Sequence, residues 1–248
     1  MNHWNEFMRL MEEPWIIAGP CAIESKEQMK KVAQILKTYG VKAIRGGAFK
    51  PRTSPNSFQG LGLEGLKIMK EIGQEFDLIT VSEIMDPRVL AEEEWLPDVI
   101  QIGSRNMQNF ALLKEVGKQN RPILLKRGMA ATVHEWLQAA AYVEAEGNHR
   151  VIFCERGIRT VSEITRNTLD VGAIAYLRQM GKFVVADPSH ASGNRALVAP
   201  LAKAGLAAGA QGIMVEIHPQ PEEAVSDSEQ SLTFEEFAEL VKAVRSDA

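Results

Sequence analysis

Short apolar runs of strand length alternate along the chain with longer stretches whose apolar positions recur every three to four residues. The short runs are Trp15 to Gly19, Ala43 to Gly46, Leu78 to Ser82, Val99 to Gly103, Pro122 to Leu125, Val151 to Cys154, Phe183 to Ala186 and Gly212 to Val215. They are nearly unbroken in hydrophobicity, as strands covered on both faces are. Helical periodicity runs through Glu27 to Tyr39, Glu64 to Phe76, Asn109 to Lys118, Val133 to Glu146 and Phe234 to Arg245. Thr233, followed by Glu235 and Glu236, reads as a helix N-terminus, as do Asp86-Pro87 and Asn109. Glu92-Glu93-Glu94 reads as the solvated face of a further helix.

Eight β/α units in 248 residues predict a single (β/α)8 TIM barrel of the α/β class. An open doubly wound sheet is the alternative, but no G-x-G-x-x-G follows the first strand. The expected division is a short N-terminal extension over residues 1–14 and a catalytic barrel over 15–248. Trp4, Phe7, Met8 and Met11 make one apolar helical face in the extension, suited to capping the barrel bottom.

Composition then narrows the function classes. A net charge of -4 gives no global basic field, so neither nucleic acid nor a membrane surface is an expected partner. No apolar run approaches the roughly 20 residues of a spanning helix. The start of the chain lacks the order of a signal peptide. The two cysteines, Cys21 and Cys154, sit far apart in strand-like contexts, which predicts a reducing cytoplasmic setting without a disulfide. Cys154 reads as core packing.

Each predicted strand is followed by residues with chemistry. In a barrel these ends converge on one face, the face that carries active sites. One group is cationic: Arg45, Lys50, Arg52, Arg105, Lys126 and Arg156. Arginine forks and lysine ammonium groups suit phosphate and carboxylate, so the cluster implies a strongly anionic substrate. Taken singly, each is equally an exposed strand-end residue with a surface ion partner. A second group, Cys21, His190, Glu216 and Asp227, offers a thiolate, an imidazole and two carboxylates, a donor set for Mn, Fe, Co or Zn. Its members also have plainer readings: a small buried cysteine, a hydrogen-bonded loop histidine, a solvated turn aspartate. His218 is either a supporting residue or a loop residue.

The segments Gly19-Pro20-Cys21-Ala22-Ile23-Glu24-Ser25, Lys50-Pro51-Arg52-Thr53-Ser54, Ile102-Gly103-Ser104-Arg105-Asn106, Leu125-Lys126-Arg127-Gly128 and Asp187-Pro188-Ser189-His190 resemble 3-deoxy-7-phosphoheptulonate (DAHP) synthase. The branch is the short one shared with 3-deoxy-8-phosphooctulonate synthase, and the resemblance runs from about Trp15 to the C-terminus. It implies condensation of phosphoenolpyruvate with erythrose 4-phosphate, the first step of the shikimate pathway, in a metal-dependent homo-oligomer, dimer or tetramer. It also implies that Cys21, His190, Glu216 and Asp227 hold the metal. Arg105, Lys126 and Arg156 hold phosphoenolpyruvate with Arg45 and Lys50 beside them, and Arg52 and Thr53 take the aldose phosphate. Ser54, Glu83 and Asp187 join the substrate-binding candidates, and Lys126, His190 and Cys21 the catalytic ones. Lys126 is either proton donor or phosphate clamp. The Lys50-Pro51-Arg52-Thr53-Ser54 segment favours erythrose 4-phosphate over arabinose 5-phosphate, the octulosonate substrate. A non-catalytic phosphosugar-binding barrel is the reading from another class. Because only a short extension is expected before the barrel, inhibition by aromatic amino acids is not expected.

Overall fold

The computed structural model describes residues 14–51 and 54–246. Arg52, Thr53 and all of the expected extension except Pro14 lie outside the described residues. Eight parallel strands close on themselves in chain order: β1 (Trp15–Gly19), β2 (Ala43–Arg45), β3 (Ile79–Glu83), β4 (Val99–Ile102), β5 (Ile123–Lys126), β6 (Val151–Glu155), β7 (Phe183–Ala186) and β8 (Gly212–Glu216). β1 pairs with β8 from Trp15↔Gly212 through Gly19↔Glu216, which closes the barrel and excludes the open sheet.

The helices are α1 (Lys26–Thr38), α2 (Leu63–Phe76), α3 (Phe110–Gly117), α4 (Val133–Glu144), α5 (Val171–Gln179), the short α6 (Pro188–Ser192), α7 (Arg195–Ala207) and α8 (Phe234–Ser246). Their starts follow local chemistry. Ser25 accepts from the Gln28 amide, Asn109 from Leu112 and Asp170 from Ala173. Thr132 and Glu135 form a reciprocal capping box at α4. Thr233 and Glu236 exchange the same pair of bonds before α8.

One expected helix differs. Between β3 and β4 the chain makes two 3-10 turns, Pro87–Ala91 and Glu93–Trp95, with Glu92, Glu93 and Glu94 exposed. Asp86 caps the first turn in place of a longer helix. Three adjacent carboxylates and the proline at 97 leave too little chain for a stable helix.

Alternate strand residues divide the core in two. Trp15, Ile17, Ala43, Val81, Val99, Leu124, Ile152, Cys154, Phe183, Val185 and Met214 form one buried cluster. Their sequence neighbours Ile16, Ala18, Ile44, Ile100, Ile123, Leu125, Phe153, Val184, Ile213 and Val215 pack with the helices in a second. The first cluster therefore fills the barrel interior and the second lies between strands and helices. Trp15 and Phe183 pack ring to ring at 4.5 Å low in the interior. Cys154 is part of that interior core, as expected.

Candidate active site

The interior phase of each strand, continued two residues onward, gives the polar layer at the barrel mouth. Ala43 leads to Arg45, Val81 to Glu83, Val99 to Gln101, Leu124 to Lys126, Cys154 to Arg156, Val185 to Asp187 and Met214 to Glu216. On β1, Ile17 leads through Gly19 to Cys21. A two-residue period fixes direction, so these side chains stand on the apolar plug and point where it points. The opposite phase explains two residues that look equivalent in sequence. Arg127 and Glu155 continue Leu125 and Phe153, so they face the helix layer, where Arg127 Nη1 bonds Glu155 at 3.0 Å and Asp170 at 2.8 Å. This buried arginine braces the β5, β6 and α5 junctions from behind.

A cavity of about 370 Å³ opens above the layer. Of the expected residues, Arg45, Lys50, Ser54, Glu83, Arg105, Lys126, Arg156, His190 and Asp227 line it. Asp187 lies beneath, fully buried. Arg166, Gln101, Ser104 and Ser57 also line it, which sequence reasoning missed. Gln101 was accessible from the strand phase. Arg166 lies in the irregular segment between β6 and α5, where no periodicity assigns a direction.

Two ion pairs organise the floor. Arg45 Nη1 donates to Glu216 Oε1 at 2.9 Å and to the Pro20 carbonyl at 2.7 Å. Lys126 Nζ donates to Asp187 Oδ2 at 2.6 Å. Asp187 also caps α6, its Oδ1 accepting from the His190 amide at 3.0 Å, so the same residue that starts the helix aims His190. Burial opposes the charge on Asp187, but His190 and Lys126 outweigh it and hold the carboxyl well below its usual range. Glu83 is different. Burial dominates, pushing its carboxyl up, and its Oε1 has no hydrogen-bond partner. Gly103 makes room for that carboxyl, since a Cβ there would stand 2.0 Å from Glu83 Oε1. Burial also lowers the Arg156 guanidinium from its ordinary value.

The expected metal donors converge. One donor atom each from Cys21, Glu216 and Asp227 falls within 4.8 Å of the others. His190 Nε2 lies 3.4 Å from Glu216 Oε1. His190 Nδ1 lies 2.8 Å from Asp187 Oδ2 at an angle short of a hydrogen bond. The Cys21 Sγ donates to Asp227 Oδ2 at 2.9 Å and contacts Ser226 Oγ at 3.1 Å. Burial, then Glu216, pushes its thiol up to about 12. The Lys50 ammonium donates to the Cys21 Sγ at 2.9 Å and to its carbonyl at 3.0 Å, so it sits on the donor cluster as well as in the cavity. Burial works against ionised Asp227, but His190, Cys21 and Lys50 hold it below its usual range. A thiol and two carboxylates pressed together, with an imidazole at the edge, fit a borderline divalent cation. His218 is no part of this cluster: Nδ1 faces Gln220 and Nε2 lies 3.4 Å from Glu24.

Six cations, Arg45, Lys50, Arg105, Lys126, Arg156 and Arg166, thus line one cavity beside a soft-plus-hard donor set. The sequence profile of the DAHP synthetase I family matches residues 11–248. The chain belongs to that family. A phospho-2-dehydro-3-deoxyheptonate aldolase of Thermotoga maritima is 48% identical over 231 residues, covering 93% of this chain and 68% of that protein. A 2-dehydro-3-deoxyphosphooctonate aldolase of Hydrogenovibrio crunogenus is 31% identical over 233 residues, 86% of this chain and 83% of that one. The crystal structure of the Thermotoga maritima DAHP synthase superposes with a TM-score of 0.91 at 48% identity, over 94% of this chain and 69% of that chain. A truncated form of the Thermotoga maritima enzyme gives 0.87 at 44% identity, over 94% and 86%. Membership in the DAHP synthetase I family makes the barrel an enzyme of the aldolase type. Among the described residues no helix is long and apolar enough to cross a membrane.

Proposed function

We propose that the barrel joins phosphoenolpyruvate to erythrose 4-phosphate, forming 3-deoxy-7-phosphoheptulonate and releasing phosphate at the head of aromatic biosynthesis. The observation that carries this reading is one cavity lined by six basic side chains together with His190 and Asp227, with Cys21 and Glu216 within donor reach of Asp227. Two phosphorylated substrates repel each other in water, and a mouth lined by Arg45, Lys50, Arg105, Lys126, Arg156 and Arg166 offsets that repulsion and fixes their orientation.

The reaction forms a bond between C3 of phosphoenolpyruvate and the aldehyde carbon. Water adds at C2, and phosphate leaves with its bridging oxygen. Arg105, Lys126 and Arg156 bind the phosphate and carboxylate of phosphoenolpyruvate, by forked and point-charge contacts respectively. Arg52, Thr53 and Ser54 take the aldose phosphate. Lys126 has its ammonium beside the buried Asp187 and is placed to hold the leaving phosphate or hand it a proton. Glu83, with its carboxyl pushed up by burial and aimed at the cavity, is placed to position the incoming water or take its proton. Cys21, His190, Glu216 and Asp227 would hold a divalent ion, Mn, Fe, Co or Zn, which supplies Lewis acidity toward the aldehyde oxygen when bound. Assembly into a homo-oligomer, dimer or tetramer, belongs to the same reading and is measured by mass in solution.

The deciding experiment assays purified protein with phosphoenolpyruvate and each aldose, after exhaustive chelation and after return of each metal. Turnover of erythrose 4-phosphate that vanishes on chelation and returns with metal is expected. Preference for arabinose 5-phosphate would assign the octulosonate reaction instead. Full activity without metal would remove the cation from the scheme.

A further inference from the structure

Two of the four candidate metal donors are acids, and an acid has two oxygens and a rotatable head. Something must decide which oxygen each presents. For Glu216, Oε1 is occupied by Arg45 at 2.9 Å and faces His190, while Oε2 accepts from Gln230 Nε2 at 2.7 Å. Gln230 is buried, 2% exposed, and its amide is held at both ends. Its Oε1 accepts from Arg166 Nη1 at 3.2 Å, and the same Nη1 donates to Asp227 Oδ1 at 3.0 Å. A guanidinium has no acceptor and a carboxylate no donor, so the Gln230 amide fits between Arg166 and Glu216 in one orientation only.

The backbone around this bridge is tied down. Leu232 N donates to the Glu216 carbonyl at 2.9 Å and His218 N to the Leu232 carbonyl at 3.0 Å, which pins the loop after Asp227 to the end of β8. Ser231 Oγ donates to the Asp227 carbonyl at 3.0 Å, and Asp227 itself has a φ of 54°, a backbone state that needs such support. Arg166 is held by its own amide, which donates to the Ser192 carbonyl at 2.9 Å at the end of α6. Asn167 Nδ2 donates to the His190 carbonyl at 3.1 Å. Gly193 clears the stem, for a Cβ there would lie 2.7 Å from Arg166 Cβ.

We propose that Gln230, oriented by Arg166, is the positioning residue of the cation site, setting the rotation of Glu216 and joining it to Asp227. This rests on the reading of Cys21, His190, Glu216 and Asp227 as a metal site. Gln230 touches neither substrate nor ion. It acts through the carboxylate that does, and through that contact the β6–α5 segment shares in the geometry of donors on β8 and the loop after it.

The test uses full-length protein stripped of metal and titrated with Mn²⁺ alone against a fluorescent chelator, followed by Co²⁺ absorption spectra. Gln230→Met keeps length and burial but removes both amide contacts. Expected is an Mn²⁺ affinity about 10-fold to 100-fold weaker, the range seen when supporting partners of metal ligands are lost. Altered Co²⁺ d–d bands should accompany it, with cooperative unfolding of the metal-free protein unchanged. Arg166→Met should weaken Mn²⁺ binding as well, and the double variant should lose less than the product of the two single effects. Gln230→Met with wild-type Mn²⁺ affinity and an unchanged Co²⁺ spectrum overturns the proposal while leaving the metal site standing. Wild-type protein that binds neither Mn²⁺ nor Co²⁺ overturns the site reading and the proposal with it. If Gln230→Met fails to fold, Gln230→Glu serves: a carboxylate then faces Glu216 Oε2, and Mn²⁺ affinity equal to wild type would again overturn it.

Discussion

Cys21 and Cys154 differ by where the same side chain is asked to stand. Cys154 is sealed in the barrel interior, whereas Cys21 sits one residue past Pro20, beside two carboxylates and the Lys50 ammonium. Cys21→Ala is expected to weaken metal retention by at least the roughly 10-fold to 100-fold that lesser changes cause, without loss of fold. Metal content and rate equal to wild type would refute its role. Cys154→Ala should keep activity. The Cys21 thiol is pushed up to about 12, so at neutral pH it is protonated in the metal-free protein, and a bound ion must displace that proton. Gly103 supplies a sharper steric test. Gly103→Ala places a methyl against the buried Glu83 carboxyl, and a loss of turnover of about tenfold or more is expected with little change in secondary structure. Normal kinetics would mean that Glu83 moves aside freely.

The candidate residues of the floor were legible in the sequence because they continue the strand alternation of the apolar core. The strand ends were harder. The strands expected to end at Ser82, Leu125, Cys154 and Val215 run on one residue, through Glu83, Lys126, Glu155 and Glu216, since backbone pairing is indifferent to what the side chain carries. Those expected to end at Gly46 and Gly103 stop one residue earlier, at Arg45 and Ile102. Gln230 and Arg166 were not legible, because their partners lie 14 and 61 residues away across irregular chain. At α5, Asp170 does two things: it caps Ala173 N at 2.9 Å and accepts from Arg127. Asp170→Ala should destabilise the fold by about 1–2 kcal/mol, mainly through the lost cap. Burial opposes its charge, but Arg127 and the helix amides hold its carboxyl below the usual value. A depressed carboxylate stabilises the fold above its unfolded pKa and loses that contribution as pH falls through the folded one. Urea midpoints of wild type and Asp170→Ala should therefore converge toward low pH. A constant gap across the acid range would assign the effect to packing instead.

For the whole barrel, closure gathers strand-end residues around one cavity, so the two candidate roles share parts. Asp187 is the shared part. Its Oδ2 lies 2.6 Å from the ammonium of Lys126, a substrate-binding candidate, and 2.8 Å from Nδ1 of His190, a metal-donor candidate. Were Lys126 to turn toward an incoming phosphate, the carboxylate would be left to His190, where an aligned bond to Nδ1–H would make the far nitrogen a stronger metal ligand. Substrate and cation would then be coupled through one buried oxygen, and thermodynamics requires such coupling to be reciprocal: the factor by which phosphoenolpyruvate tightens Mn²⁺ would equal the factor by which Mn²⁺ tightens phosphoenolpyruvate. Calorimetric titration of each ligand with and without the other should return that common factor, above unity. Independent binding would show that Asp187 serves its two neighbours separately.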